Sequence, residues 1–197
     1  MAIIKKLTIK QLLKKNYSNS KALQNLAYGA AKRKANKLKN DLIKELNTHP
    51  VTKEIEQGPN GSSSFFGGKG NLFGFLGFTP SQHPVKIIRD SFEKYISLEK
   101  KPKLKKVSGT VFQWEFPIRY PSAQEIYAVT PLTWSTQSWV KGVERGIDNF
   151  TNTIFTRSSK SRSGVALQTK EPQMTFTNFR PTPYVGAMLT NFGAKIK

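Results

Sequence analysis

The chain contains no cysteine and only two histidines, His49 and His83, among its 197 residues. Without cysteine there can be no disulfide, no thiolate metal site and no cysteine nucleophile. Each histidine directly precedes a proline, Pro50 or Pro84, which is typical of a turn that opens a helix. The scarcity of these residue types predicts a binding or structural role, without a metal or cofactor.

Other catalytic patterns are also missing. The glycine-rich stretch 67–74 lacks the spacing of a Walker phosphate-binding loop. Glu54 and Glu56 lie two positions apart and cannot share one helix face as a carboxylate pair. The sequence therefore predicts a protein that is not an enzyme.

Long apolar runs are absent as well. No run approaches the roughly 20 residues of a membrane-spanning helix, so we expect no membrane partner. Residues 1–6 have neither the apolar region nor the cleavage site of a secretory signal. The acid-free start is also a feature of transit peptides, but its near lack of arginine favours a protein made and used in a cytoplasm.

Acidic residues are missing from the first forty positions. The chain has 32 lysines and arginines against 12 acidic residues, a net charge of +20. Residues 1–40 hold eleven basic residues and no acidic one, and residues 100–106 hold five basic and no acidic one. Such segregation predicts contact with phosphate, an acidic protein surface or anionic lipid. The alternative is a solvated helix face and loop tip that keep the protein soluble. The candidate contacts to an acidic partner or phosphate are Lys32, Arg33, Lys34, Lys37, Lys39, Lys100, Lys101, Lys103, Lys105, Lys106, Arg157, Lys160 and Arg162.

Helical patterns dominate the N-terminal part. A capping box predicts a short helix over residues 9–15, and a long amphipathic helix follows over residues 21–47. Proline and capping signals predict later helices over 51–57, 85–98 and 183–192, after Ser122, and around Trp139. The apolar stripe of the long helix comprises Leu23, Leu26, Ala27, Ala30, Ala31, Ala35, Leu38, Leu42 and Leu46.

Alternating patterns predict strands in the second half. Residues 71–78 alternate bulky residues with glycine, which indicates a strand with a bulge or the close approach of another segment. Residues 107–116 give the clearest strand pattern. The further candidates are 153–156 paired with 165–169, and 174–178. The predicted fold is α+β, with a long basic N-terminal helix followed by a small, mainly antiparallel sheet with packed helices.

The same patterns divide the chain into three parts. Residues 1–20 form an N-terminal arm, 21–58 the long basic helix with a helical turn, and 59–197 an α+β core. The core is predicted to carry flexible loops at 59–70, 100–106 and 157–164.

Five phenylalanines lie in the glycine-rich region between the helices predicted over 51–57 and 85–98. They are candidate assembly contacts, with ordinary core packing as the alternative. They are Phe65, Phe66, Phe73, Phe75 and Phe78.

Several strings of the sequence resemble the neck and tail-completion proteins of the head–tail connector of long-tailed bacteriophages. They are spread over most of the chain, at residues 47–59, 70–78, 138–147, 161–168 and 183–185. The resemblance implies a virion structural protein, assembled in the host cytoplasm, that acts as one subunit of a ring, often sixfold. The implied partners are further copies of itself and neighbouring neck, portal-adaptor, tail-tube or sheath proteins, with DNA passing through the lumen.

A different class fits the composition too. Basic extensions, a small α+β core and the absence of cysteine are all compatible with a ribosomal or other RNA- or DNA-binding protein. Steep salt dependence of binding would indicate that class, because nucleic-acid contacts release counterions.

Overall fold

Seven α-helices and three two-stranded antiparallel sheets make up the part of the chain that the structure describes. The structure, a computed structural model, describes residues 16, 20–62, 70–108, 111–132, 135–145, 153–154, 159–168 and 181–196. The predicted α+β class is confirmed, although the strands form three separate pairs rather than one sheet. The short helix predicted over 9–15 and the strand over 174–178 lie outside the described residues.

The long N-terminal helix, α1 (Lys21–Thr48), begins and ends close to where the sequence predicts. The side chain of Ser20 caps it by accepting a hydrogen bond from the backbone N–H of Leu23 at 3.5 Å. The chain then leaves the helical conformation at His49, since the residue before a proline avoids it. Local sequence therefore sets both ends of this helix.

Burial along α1 does not follow the predicted stripe from end to end. Its buried side chains are Ala35, Leu42 and Leu46, whereas Leu26 is 72% exposed. At about 100° per residue, Leu26 lies about 160° around the helix from Leu42. The stripe therefore does not follow one face of α1 throughout, and Leu26 turns away from the core.

The chain next forms α2 (Pro50–Glu56) and a 3-10 turn (Gly58–Asn60). Instead of the strand predicted at 71–78 it then forms one helical turn, α3 (Leu72–Phe75). Side chains cap this turn: Asn71 Oδ1 accepts from the N–H of Gly74, and Glu54 Oε1 from the N–H of Leu72, both at 2.6 Å. These caps satisfy two of the N–H groups at the start of the helix. The strand prediction was wrong, because this helical turn forms in its place.

Gly74 shows why glycine is needed in α3. A Cβ placed there would lie 2.9 Å from Val165 Cγ2 and 3.3 Å from the Cβ of Ala166. The close approach of another segment, expected from the glycine pattern, is therefore correct at this position.

The following elements are α4 (Pro84–Tyr95), β1 (Ser97–Leu98), β2 (Lys103–Ser108), β3 (Val111–Glu115) and β4 (Ile118–Arg119). Strand β1 pairs with β4, and β2 forms a hairpin with β3. The lysine-rich run 100–106 was predicted as a loop, yet from residue 103 onward it belongs to β2. The lysines at 103 and 105 alternate with Leu104, which suits a strand, but the high charge suggested a loop. The strand predicted over 107–116 is likewise divided between β2 and β3.

The remaining elements are α5 (Ala123–Val129), α6 (Trp139–Arg145), β5 (Thr153–Ile154), β6 (Leu167–Gln168) and α7 (Val185–Ile196). The predicted capping box is confirmed, because the side chains of Ser122 and Glu125 each bond to the other's backbone N–H. Hydrogen bonds from Ser122 lower the pKa of Glu125. The predicted antiparallel pairing of 153–156 with 165–169 is also confirmed, through β5 and β6.

One hydrophobic core joins these helices. Its largest fully buried side chains are Trp139, Tyr184 and Phe92, and the rings of Trp139 and Tyr184 lie 6.1 Å apart. The hydroxyls of Tyr184 and Thr52 are hydrogen bonded at 2.6 Å inside this core. The C-terminal half of α1 provides the buried side chains of this helix, whereas no side chain of its N-terminal half is fully buried.

Candidate functional site

The cations of α1 singled out in the sequence lie at the surface. Lys32, Arg33, Lys34 and Lys37 are exposed, and Lys39 is half-buried. Within the described ranges, none of these five forms an ion pair with an acidic side chain. The surface of α1 therefore carries positive charge that no ion pair among the described residues neutralises.

A cleft of about 240 Å³ separates α1 from β1. Three of its polar α1 residues, Lys32, Asn36 and Lys39, follow one another at helical spacing and so share one face of the helix. Ala35 and Ile96 are buried at its floor, and Ser97 is exposed. The full lining is Tyr28, Lys32, Ala35, Asn36, Lys39, Ile96, Ser97 and Leu98.

The polar groups of the cleft are mostly donors. Lys39 Nζ donates to the carbonyl oxygen of Glu93 at 2.9 Å, which leaves two of its three N–H groups for another acceptor. Lys32, Asn36 and Ser97 add an ammonium, an amide and a hydroxyl. No acidic side chain is among the described lining residues of the cleft, so its chemistry suits an anion.

The second basic segment of the sequence begins beside this cleft. Leu98, which lines the cleft, is followed after Glu99 by the exposed Lys100 and Lys101. The carboxylate of Glu99 is occupied by Arg119, whose Nε donates to it at 2.7 Å. The intervening acidic residue therefore does not neutralise the two lysines.

The hairpin that carries the rest of this segment also touches α1. The ring of Tyr28 on α1 packs edge-on against Phe116, with ring centroids 5.6 Å apart. Phe116 directly follows Glu115, which pairs with Lys103 at the base of the hairpin. The second basic segment thus begins two residues after the cleft residue Leu98, about sixty residues after the lysines of α1 that line the cleft.

Other candidate cations are located elsewhere or outside the described residues. Lys160 and Arg162 are exposed, and the contact between Val165 and Gly74 places their turn near α3 rather than at the cleft. The side chains of Lys105, Lys106 and Arg157 lie outside what the structure describes.

The phenylalanine candidates need a correction. Phe73, Phe75 and Phe78 are buried in the core, at most 3% exposed. The ring of Phe78 lies 5.6 Å from that of Phe73 and packs edge-on against Trp139 at 5.7 Å. Buried rings offer no surface to a second chain, so these three are core residues and not assembly contacts. Phe65 and Phe66 lie outside the described residues.

A larger cavity of about 430 Å³ lies between α2 and α4, over the buried side chains of Ile55, Phe73 and Val85. Its charged rim is paired internally: Arg89 contacts Glu56 at 2.8 Å, and Lys86 contacts Asp90. Such paired groups leave little unneutralised charge for a ligand.

A third cavity, of about 440 Å³, lies between α5 and α6. The hydroxyl of Tyr127, which lines it, donates to the carboxylate of Glu144. Burial, together with this bond, raises the pKa of Tyr127 to about 12. The hydroxyl therefore stays protonated near neutral pH and serves α5–α6 packing.

The residues that the structure describes include neither a metal-binding cluster nor a membrane-spanning helix. Among them, no group of three or more histidines, aspartates or glutamates is placed to hold a metal ion. None of their helices is long and apolar enough to cross a membrane.

Sequence reasoning missed three residues that bring polar groups to the cleft: Tyr28, Asn36 and Ser97. The first two could have been found, because Tyr28, Lys32, Asn36 and Lys39 recur at steps of three and four along α1. Nothing in the sequence marks Ser97, since it joins the cleft through tertiary packing of β1 on α1.

Comparison of the chain with protein-family models, with curated proteins and with solved structures finds no match.

Proposed function

We propose that this chain is a non-enzymatic structural protein of the virion of a long-tailed bacteriophage, one subunit of a ring at the head–tail neck or tail terminus. The resemblance of its sequence strings to neck and tail-completion proteins supports this class. The single observation that carries the proposal is the N-terminal half of α1, in which no side chain is fully buried and the apolar Leu26 is 72% exposed.

A ring subunit needs two different surfaces, one for each neighbour, together with contacts above and below. A helix of 28 residues is about 42 Å long. Only its C-terminal half has buried side chains, at Ala35, Leu42 and Leu46. The other half, with Leu26 72% exposed, is available to a neighbouring subunit. Burying a leucine side chain there would contribute about 1.5–3 kcal/mol.

The buried polar groups of the described residues support a structural role. Glu54 caps α3, and Thr52 bonds Tyr184 in the core. The hydroxyls of Thr130 and Ser138 bond each other at 2.9 Å. Each of these groups is used to hold one element against another.

The test is the oligomeric state of the purified full-length protein, by light scattering and negative-stain imaging. We expect closed rings of subunits of 22.2 kDa, alone or with neck and portal partners. Leu26→Gln should raise the concentration needed for ring formation at least tenfold. The matched control is Ile87→Gln, because Ile87 is also an exposed aliphatic residue, at 44%, but lies on α4.

Two results would contradict the proposal. One is a protein that stays monomeric at high concentration and binds no neck, portal or tail component. The other is an equal effect of the two glutamine variants, since that would remove α1 from the subunit contact.

A second candidate function is that of a basic nucleic-acid-binding protein such as a ribosomal protein. The unneutralised cations of α1 favour it. RNA that co-purifies with the protein and is released by salt, in the absence of rings, would support this candidate over the first.

A further inference from the structure

We infer that the cleft between α1 and β1 binds the phosphate backbone of duplex DNA. The inference rests on the proposed function in its choice of DNA, since a neck ring surrounds the path of the genome. The binding chemistry itself follows from the residues of the cleft and their surroundings.

Charge is the first argument. Lys32 and Lys39 lie on the α1 side, and Lys100 and Lys101 follow the β1 side. A concave site with two cations on its α1 wall, and with no acidic side chain among its described lining residues, focuses positive potential into the cleft. A uniformly charged polyanion is the partner that such a site fits best.

Geometry is the second argument. Lys32 and Lys39 are seven residues apart, which is about 10.5 Å along the helix. One DNA strand carries a phosphate every 3.4 Å or so of axis, so the two ammonium groups can meet different phosphates. Asn36 between them and Ser97 opposite supply neutral donors of the kind that also bind phosphate oxygens.

The absence of free stacking surfaces is the third argument. Recognition of single-stranded nucleic acid uses exposed aromatic rings on which bases stack. Tyr28, the aromatic residue of the cleft, already packs against Phe116. The exposed Tyr120 packs against Phe192 at 5.3 Å, and Lys94 lies over the ring of Tyr95. Tyr28 is the one aromatic residue among the described lining residues of the cleft, and its engaged ring favours backbone contact over base contact.

The experiment is a fluorescence anisotropy titration of the full chain with a labelled 20-base-pair DNA duplex, between 50 and 200 mM NaCl. Each phosphate contact contributes about 0.9 to the log–log salt slope. The double variant Lys32→Gln with Lys39→Gln should therefore reduce the slope by about 1.8, so that raising the salt weakens its binding about tenfold less than it weakens the wild type. Lys53→Gln with Lys141→Gln removes the same charge from exposed positions outside the cleft and should leave the slope unchanged.

A second pair of variants tests the cleft without changing any residue of α1. Ser97 is exposed in the cleft wall, so Ser97→Glu and Ser97→Gln differ in charge while matching in size. We expect Ser97→Glu to bind the duplex at least fivefold more weakly than Ser97→Gln. Equal affinities for these two variants, or equal slopes for the two double variants, would overturn the inference.

Competitors identify the partner. Stronger competition by single-stranded RNA of equal charge would overturn the choice of DNA, and stronger competition by poly-glutamate would favour an acidic protein instead. Light scattering on the same samples separates this inference from the proposed function. If the protein is a monomer and its DNA binding depends on the cleft, the inference is supported and the proposed ring is contradicted. If the protein forms rings but its DNA binding does not depend on the cleft, only the inference is overturned.

Discussion

The buried hydrogen bond between Thr52 and Tyr184 offers a sharp test of the core. Both side chains are completely buried, and their hydroxyl oxygens are 2.6 Å apart. Thr52→Val removes one hydroxyl and keeps the shape of the side chain. The hydroxyl of Tyr184 then stays buried without the threonine as its hydrogen-bond partner. An unsatisfied buried hydroxyl costs about 1–3 kcal/mol in free energy of unfolding. For a chain of this length, that corresponds to a fall in Tm of about 2–4 °C per kcal/mol.

The reverse change should cost less. Tyr184→Phe leaves the hydroxyl of Thr52 without the tyrosine as its hydrogen-bond partner. A threonine in a helix, however, can bond a carbonyl of the preceding turn instead. The double variant removes both groups, and we expect it to be less destabilised than the sum of the single variants by about 1 kcal/mol or more. Urea unfolding of the four proteins, followed by circular dichroism, measures this coupling. Additivity within about 0.3–0.5 kcal/mol would refute the reasoning.

Tyr184 also predicts a dependence on high pH. Burial is the main cause that raises its pKa above the ordinary value of 10. The folded protein therefore holds the phenolic proton at pH values where the unfolded chain has released it. This contribution to stability is complete below pH 10 or so and is lost as the pH rises above it, by at most about 1.4 kcal/mol per pH unit. The wild type should lose stability more steeply than Tyr184→Phe between pH 10 and 11.5; parallel curves would contradict the assignment.

Three other variants test the supports of the fold. Gly74→Ala should destabilise by about 1–3 kcal/mol in urea unfolding, because the new Cβ would meet Val165 at 2.9 Å; an unchanged midpoint would show that this contact yields freely. Glu144→Ala should lower the free energy of unfolding by about 1.5–3 kcal/mol and speed hydrogen exchange at the start of α7, because the Glu144 carboxylate accepts a hydrogen bond from the N–H of Gly186 at 2.6 Å. Unchanged exchange at the start of α7 would contradict this role of Glu144. Burial lowers the pKa of His49, so stability should fall as the pH drops through about 6.5. His49→Asn keeps a capping side chain and should flatten that fall in melts from pH 5 to 7, whereas an identical acid profile would exclude this histidine as its source.

The sequence predicted those parts of the fold that local chemistry determines. Ser20 caps α1, His49 and Pro50 end it, and the box of Ser122 and Glu125 opens α5. Each of these signals acts within about one helical turn, so no tertiary contact is needed to interpret it. The pairing of β5 with β6 was also predictable, since two short strand patterns surround one polar loop.

Tertiary packing accounts for the errors. Residues 71–78 look like a strand because bulky residues alternate with glycine, yet α3 forms there. The deciding groups are Glu54, eighteen positions before the N–H of Leu72 that it caps, and Val165, which packs over Gly74. Neither is visible in a local window. The phenylalanines of this segment were assigned to assembly for the same reason: their repetition was visible, but the surroundings that bury them were not.

The candidate site was half predictable. The sequence identified both basic segments and most of their lysines, but it gave no indication that the second segment begins near a cleft lined by lysines of the first. Their proximity depends on β1 lying against α1 and on Tyr28 contacting Phe116. Contacts over such sequence separations are fixed by the whole core, so Ser97 gave no signal at all.

The position of the cleft has a consequence for the proposed ring. Sixteen of the twenty excess positive charges of the chain belong to residues 1–40 and 100–106. Lys32 and Lys39 of the first segment line this cleft, and the second segment begins two residues after the lining residue Leu98. In a head-to-tail ring, each subunit presents one surface to a different surface of an identical neighbour. The rest of the chain has nearly balanced charge, so a neighbour offers little net negative charge to neutralise the cleft. Burying it between subunits would leave unpaired cations out of water, which is costly. We therefore expect subunit contacts to use the apolar part of α1 around Leu26, while the cleft faces the lumen or an axial partner that carries negative charge.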